Sequence, residues 1–241
     1  MSYLEFHLIF TLPLILILYG WIRARRLTIA SDSIWILIIV ALIYTTSWDN
    51  YLVARGVWHY PAESVLFRIG YVPFEEYLFF GLETVLVGLW FAARRPRLQF
   101  PGRPGFSWSG LILAVALLVA GALALLSEPG TYLGLILVWA SLPLGLQWSL
   151  AGGLLWQARR ALAALVFFPA LYLILADWVA LRIGIWSISS TYTTGWHLAG
   201  MPVEEALFFA VTVVILIQAY YLLAHPQVIE QWRGQWQRAR D

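Results

Sequence analysis

The sequence contains no cysteine and no lysine, and only 12% of its 241 residues are charged. Without cysteine the chain has no disulfide, no thiolate metal ligand and no Cys nucleophile. Without lysine it lacks the Schiff-base amine that retinal-binding seven-helix proteins require. Soluble domains carry about 25% charged residues, whereas here 61% of the residues are hydrophobic and the mean hydropathy is +0.77. The composition predicts an integral membrane protein without a large soluble domain.

Seven hydrophobic segments approach the length of about 20 residues that a membrane-spanning helix needs. They lie at residues 3–22, 33–53, 73–93, 108–127, 131–151, 161–181 and 202–224. The first segment runs directly into arginines and lacks a small-residue cleavage site, so we expect it to be retained as a helix. The predicted fold class is all-α, with seven transmembrane helices.

All 15 cationic residues are arginines, and their distribution predicts an orientation in the membrane. With the N-terminus outside, 12 of the 15 arginines fall in cytoplasmic segments and 3 fall outside. Positive charge favours the cytoplasmic side, so we expect a multi-pass protein of the cell membrane with its N-terminus outside and its C-terminus in the cytoplasm. Topology explains the arginine clusters, so nucleic acid is not an expected partner. The tail at residues 231–241 is expected to lie at the cytoplasmic interface.

The chain repeats itself with a period of 128 to 129 residues. The matching positions are Asp49, Gly56 and Trp58 with Asp177, Gly184 and Trp186 at an offset of 128, and residues 73–80 (PFEEYLFF) with residues 202–209 (PVEEALFF) at an offset of 129. This ordered series predicts a duplicated three-helix unit, formed by helices 1–3 and 5–7. Because one further helix separates the copies, both have the same orientation and the repeat is parallel. The expected division is a first repeat at residues 1–100, a linker with helix 4 at 101–130, and a second repeat with the tail at 131–241.

Six acidic residues of the repeats are expected to lie near the same side of the membrane. They are Asp49, Glu75, Glu76, Asp177, Glu204 and Glu205. Carboxylates within a membrane are costly, so they are candidates for function. A structural explanation also exists, because prolines open the two helices and carboxylates stabilise a first helical turn. Adjacent helical residues are about 100° apart, so one Glu of each pair can face a shared pocket, and the sequence does not tell which.

Aromatic residues accompany the acids. Phe79 and Phe80 follow Glu76 at helical spacings of three and four, and Phe208 and Phe209 follow Glu205 in the same way. In a dry pocket with other acids nearby, a carboxyl group can keep its proton and act as a general acid, while ring faces stabilise a cation. Two interpretations are open for Trp58 and Trp186, which belong either to an interfacial aromatic belt or to the pocket wall.

Several cofactor signatures are missing from the sequence. It has no Gly-x-Gly-x-x-Gly segment, no P-loop and no aspartate-rich run for magnesium diphosphate, and its histidines have no neighbouring ligand at metal spacing. We therefore expect neither a cofactor nor a bound metal.

The duplicated Asp/Gly/Trp and Pro-x-Glu-Glu-x-Leu-Phe-Phe blocks resemble the integral-membrane carotenoid (lycopene) cyclases, in the form that fuses two small membrane subunits into one chain. The resemblance implies a cofactor-independent isomerisation that converts the ψ-ends of lycopene into β-ionone rings through a carbocation. It implies acid/base roles for Glu75, Glu76, Glu204 and Glu205, with Asp49 and Asp177 as secondary candidates. The residues expected to bind substrate are Trp58, Trp186, Phe79, Phe80, Phe208 and Phe209. The expected partners are a lipid-soluble carotenoid and membrane lipids.

Two other functions stay open at this point. A proton- or cation-coupled transporter could use the same acids, and a parallel repeat permits it, although a transporter site is expected nearer the midplane of the membrane. A nonenzymatic membrane scaffold is the other alternative, and it leaves the repeated acids without a purpose.

Overall fold

A computed structural model describes residues 1–100 and 102–228 of the chain. Within these residues the chain forms six long helices joined by short loops. The helices are α1 (Tyr3–Ala24), α2 (Ser31–Arg55), α3 (Phe74–Arg94), α4 (Trp108–Ala124), α5 (Thr131–Ile183) and α6 (Val203–Ala224). The interfacial tail predicted at residues 231–241 lies outside the described residues.

Helix α5 is 53 residues long and is broken at Ala151, whose φ of −152° and ψ of 31° leave the helical region. Tyr132 near its start hydrogen-bonds with Glu205, and Asp177 near its end interacts electrostatically with the same residue. A straight helix would hold Tyr132 and Asp177 about 65 Å apart, so α5 must fold back on itself at the break. We call residues 131–150 the first arm of α5 and residues 152–183 its second arm.

The predicted seven spans are confirmed, with one difference in how they are connected. Helices α1, α2, α3, α5 and α6 are long and apolar enough to cross a membrane, α5 is long enough for two crossings, and α4 is a shorter apolar helix of 17 residues. Residues 152–160, which lie between the fifth and sixth predicted segments, are helical and belong to the second arm of α5. Next to the break, Gly152 packs so closely on Ser107 and Ser109 that a Cβ would displace them, which makes the reversal tight.

The two repeats have matching local structure. Gly56 and Gly184 end α2 and α5 in the left-handed conformation, with φ of 76° and 75°, which glycine adopts without steric cost. Short strands then lead into α3 and α6 at equivalent positions. The strands are β1 (Trp58–His59), β2 (Arg68–Ile69), β3 (Val72–Pro73), β4 (Ser187–Ile188), β5 (His197–Leu198) and β6 (Met201–Pro202). Strand β2 pairs with β3, and β5 pairs with β6, so the predicted three-helix repeat is confirmed.

Reciprocal contacts relate the repeats by an approximate two-fold axis. Strands β1 and β4, which come from different repeats, pair with each other in antiparallel fashion. The Tyr44 phenol of α2 donates to the carbonyl of Trp139 at 2.6 Å, and the equivalent Tyr172 phenol donates to the carbonyl of Phe10 at 2.5 Å. Each repeat therefore uses the same surface on its counterpart, as in an isologous dimer.

Helix α4, which lies between the repeats in sequence, packs on the first arm of α5 through glycines. A Cβ at Gly110 would collide with the backbone nitrogen of Ser149, and a Cβ at Gly121 would press on Val138 and the carbonyl of Gly134. Small residues let membrane helices approach closely and gain van der Waals contact. These contacts fix α4 at one side of the molecule.

Candidate active site

A narrow cavity lies between the two repeats. Three of the predicted acids line it, namely Glu76, Asp177 and Glu205. Five of the six predicted aromatic residues also line it, namely Trp58, Trp186, Phe79, Phe208 and Phe209. Its volume of about 20 Å³ is enough for roughly one water molecule, so a larger ligand enters only when side chains of the wall move.

Glu76 is held at the cavity wall by two phenols. Its Oε2 accepts hydrogen bonds from Tyr3 at 2.7 Å and from Tyr60 at 2.8 Å. Tyr3 lies at the start of α1 and Tyr60 lies in the loop after β1, so two separate segments converge on one carboxyl group. Burial, together with the nearby Glu76 carboxyl, raises the pKa of Tyr60 well above its ordinary value, which keeps this phenol a donor. The position of the Glu76 carboxyl group is thereby fixed.

Glu205 and Asp177 lie on the second repeat. The Glu205 Oε2 accepts a hydrogen bond from the Tyr132 phenol at 2.5 Å. Asp177 Oδ1 accepts a hydrogen bond from the Trp186 indole at 3.0 Å. Asp177 and Glu205 interact electrostatically with each other, and both interact electrostatically with Glu76. Acids from both repeats thus form one cluster.

The two repeated tryptophans each pack on the opposite repeat. Trp186 lies on Tyr3, with 4.7 Å between ring centroids, while Trp58 lies on Tyr132 at 5.8 Å and Phe208 at 5.7 Å. The antiparallel pairing of β1 with β4 produces this exchange, because each tryptophan stands in or just before its strand. Both side chains are buried at the cavity wall, which is the second of the two placements that the sequence left open.

The remaining glutamates of the two pairs point away from the cavity. Glu75 Oε1 accepts from the Leu66 amide at 2.7 Å, and Glu204 Oε1 accepts from the Thr194 amide and hydroxyl, each at 2.6 Å. Helix α3 begins right after Pro73, so Glu75 and Glu76 are adjacent residues of its first turn and their side chains point about 100° apart. The first Glu of each pair therefore holds the preceding loop, and the second faces the cavity.

Two other predicted site residues lie beside the cavity and do not line it. Asp49 is fully buried and interacts electrostatically with Glu76, but neither of its oxygens has a hydrogen-bond partner among residues 1–100 and 102–228. Phe80 lines a second cavity of about 190 Å³, together with the buried Glu83. Phe208 is part of the wall of both cavities.

The phenols of the site were not among the residues predicted from the sequence. Tyr3 and Tyr132 stand 129 residues apart, which is the same offset as the glutamate pairs, so an extension of the repeat towards the N-terminus would have found them. Tyr60 has no such signal, because the residue 128 positions later is Ile188. His7 was also passed over. It is buried in α1 against the carbonyl of Glu75, at 3.0 Å from Nε2.

The cavity combines proton-transfer groups with an apolar, aromatic wall. Carboxyl groups can donate and accept protons, and ring faces stabilise nearby positive charge. No arginine lines this cavity among the described residues, so no fixed cation competes for the acids. Such a site suits an uncharged substrate that becomes cationic during the reaction.

Comparison with known proteins identifies the family. The family model described as lycopene cyclase matches residues 2–93 and 129–223. The chain is 39% identical to a lycopene beta-cyclase of Halobacterium salinarum over 237 residues, which cover 96% of this chain and 99% of that protein. It is also 34% identical to a bifunctional lycopene cyclase/phytoene synthase of Sporisorium reilianum and 31% identical to that of Blakeslea trispora. These matches cover 92% and 95% of this chain but 34% and 40% of the fungal proteins.

No solved structure matches the chain. The family model covers one segment in each half of the chain, and each segment contains one Pro-x-Glu-Glu motif and the three spans of one repeat. These motifs also bring together the cluster of acids and phenols at the cavity. From the match to the family model and the identity to its relatives, this membrane-type enzyme belongs to the lycopene cyclase family.

Proposed function

We propose that this protein cyclises the ψ-ends of lycopene to β-ionone rings by acid/base chemistry that needs no redox cofactor. The main support for this proposal is one observation: Glu76, Asp177 and Glu205 line the same aromatic cavity between the repeats. The names of the relatives support lycopene as the substrate. An apolar substrate within the bilayer also suits a cavity enclosed by membrane-spanning helices.

The proposed reaction is an isomerisation, so atoms and electrons balance without another reactant. A carboxylic acid donates a proton to C2 of the terminal alkene, which leaves a tertiary cation at C1. The electrons of the C5–C6 double bond then form the C1–C6 bond, and the positive charge moves to C5. A carboxylate removes the proton from C6, and the new C5–C6 double bond completes the β-ring.

The residues divide into two kinds of role in this proposal. Glu76, Glu205 and Asp177 supply the acid and the base, because their side chains reach the cavity. Tyr3 and Tyr60 position the Glu76 carboxyl group, and Trp186 positions Asp177 through its indole.

The aromatic wall would stabilise the cation while it exists. The Phe79 and Phe209 rings lie edge to face with centroids 5.9 Å apart, and both line the cavity with Trp186. A cation over such a ring gains about 0.5–2 kcal/mol, and more when water is excluded. A dry wall also protects the cation from capture by water.

Nothing in the relatives favours the transporter alternative. Production of the protein in cells that accumulate lycopene, followed by chromatography of the pigments, tests the proposed activity. We expect β-carotene to replace lycopene, and cells carrying an empty vector serve as the control. Unchanged lycopene, with the protein present in the membrane at normal levels, would contradict the proposal.

The cofactor requirement needs a separate test with the purified protein. We expect lycopene in liposomes to be cyclised without added flavin or nicotinamide. A strict requirement for either compound would refute the cofactor-free mechanism while leaving the cyclisation itself intact.

A further inference from the structure

The approximate two-fold axis gives the molecule two equivalent places for a reacting end. One place is bounded by α1, α3 and the second arm of α5, and contains Glu76. The other is bounded by the first arm of α5, α6 and α2, and contains Glu205. The matching bonds of Tyr44 and Tyr172 to the backbone of these walls show that the two places have the same framework. Only the side chains decide whether each place is open.

One pair of equivalent positions differs greatly in size. Ala176 lines the cavity on the second arm of α5, and the residue 128 positions earlier, on α2, is Trp48. The Trp48 ring packs on Trp139 at 5.3 Å and on Phe208 at 5.5 Å between centroids. The cavity that contains the acids therefore has an alanine in its wall, whereas the equivalent position carries a tryptophan packed on two aromatic rings. The cavity of about 190 Å³ that Trp139 and Phe208 also line has none of Glu76, Asp177 and Glu205 in its wall.

The residues next to Trp48 and Ala176 also differ between the two places. The Trp48 indole donates a hydrogen bond to the carbonyl of Leu135 at 3.1 Å, which bridges α2 to the first arm of α5. The equivalent of Leu135 in the first repeat is Phe6, and Phe6 lines the cavity opposite Ala176. In the first place Phe6 and Ala176 both line the cavity, whereas in the second place the equivalent residues, Leu135 and Trp48, are joined by a hydrogen bond.

The acids follow the same division. Asp177 lines the cavity, whereas its repeat partner Asp49 does not, although both are buried. Glu76 accepts from two phenols, whereas Glu205 accepts from the Tyr132 phenol, because the equivalent of Tyr60 is Ile188. The open place thus has the more complete set of polar groups.

We propose that the protein has a single productive pocket, on the Ala176 side, and that Trp48 closes its symmetry-related counterpart. This inference rests on the proposed function for the identity of the substrate. Glu205 still reaches the open pocket across the axis, so one pocket draws its acids from both repeats. The two ends of one lycopene molecule must then enter the same pocket in turn.

Exchange of the two side chains tests the proposal. Ala176→Trp fills the open pocket, and we expect it to reduce ring formation at least 100-fold and to abolish retention of lycopene by the purified protein. Trp48→Ala enlarges the closed place, but it also removes a ring that packs on Phe208 and Trp58 of the cavity wall, so we expect a loss of no more than about tenfold, well below that of Ala176→Trp. Ala176→Leu, which is smaller than tryptophan, should give an intermediate loss and serves if Ala176→Trp does not reach the membrane. Trp48→Phe serves in the same way for Trp48→Ala.

The absorbance of lycopene that copurifies with each variant separates this inference from the proposed activity. If the original chain forms no ring, the proposed function is wrong. The amount of lycopene retained by each variant then still shows which of the two places the polyene occupies. The single-pocket proposal would be overturned if Ala176→Trp retained lycopene and formed rings normally. It would also be overturned if folded Trp48→Ala and Trp48→Phe lost as much activity as the Ala176 variants.

Discussion

Replacement of Glu76 by glutamine removes an ionisable proton and leaves the side-chain size unchanged. The amide still accepts from Tyr3 or Tyr60, so the surrounding structure should persist. Glu75 is the matched control, because it is adjacent in the same first turn of α3 and is equally buried, yet it bonds to the Leu66 amide outside the cavity. The comparison between Glu76→Gln and Glu75→Gln therefore separates chemistry from folding.

The expected magnitudes differ for the two variants. Loss of a general acid or base slows a reaction by about 10² to 10⁴, which corresponds to about 2.7–5.4 kcal/mol of transition-state stabilisation. Glu75→Gln keeps an acceptor for the Leu66 amide, and a weakened hydrogen bond there costs about 1 kcal/mol of folding free energy. For a chain of this size that lowers the melting temperature by about 2–4 °C.

Both variants are compared as purified proteins in liposomes with lycopene, with initial rates of ring formation expressed per folded protein. We expect Glu76→Gln to melt near the original temperature and to lose at least 100-fold in rate. We expect Glu75→Gln to melt a few degrees lower and to keep its rate within about threefold. A Glu76→Gln variant with a near-normal rate, or equal losses in both variants, would refute the division of roles within the pair.

Three further predictions follow from the same geometry. Asp177→Asn should lower the rate at least tenfold more than Asp49→Asn, because only Asp177 lines the cavity; equal rates in the two variants would contradict this asymmetry. Gly110→Val should lower the free energy of unfolding by about 1–3 kcal/mol through collision with the first arm of α5, and an unchanged unfolding midpoint would show that this packing is wrong. Reporter fusions should place the loop between α3 and α4 in the cytoplasm and the N-terminus outside, as the arginine distribution predicts, and an external reporter signal from that loop would reverse the predicted orientation.

The fold was largely predictable because hydrophobic length and an internal repeat are strong signals in a single sequence. The two spans of α5 were predicted, but their direct connection through a break at Ala151 was not, because residues 151–161 contain no proline and the pair Gly152 and Gly153 alone does not mark where a helix breaks. Pro143 and Pro169, which are the residues that most often interrupt a helix, lie inside its two arms instead. The break depends on close packing of Gly152 against the start of α4, and this is a tertiary contact.

The site was predictable in its acids and only partly in their arrangement. The repeated Pro-x-Glu-Glu motif gave both glutamate pairs, but only packing decides that Glu76 and Glu205 face the cavity. Tyr60 approaches from a loop whose path is fixed by the pairing of β1 with β4, so no spacing rule places it near Glu76. The equivalence of Trp48 and Ala176 can be read from the offset of 128 residues, but the packing of Trp48 on Trp139 and Phe208 is a tertiary contact that the sequence does not show.

The central claim is that a carboxylic acid of the protein protonates the polyene. Mass spectrometry of the product formed by purified protein in heavy water tests it most directly, because carboxyl protons exchange with solvent and the ring carbon that is protonated keeps the isotope. We expect one deuterium per new ring, located at C2. A product without deuterium, formed by protein equilibrated in heavy water, would show that the proton comes from another source and would contradict the account.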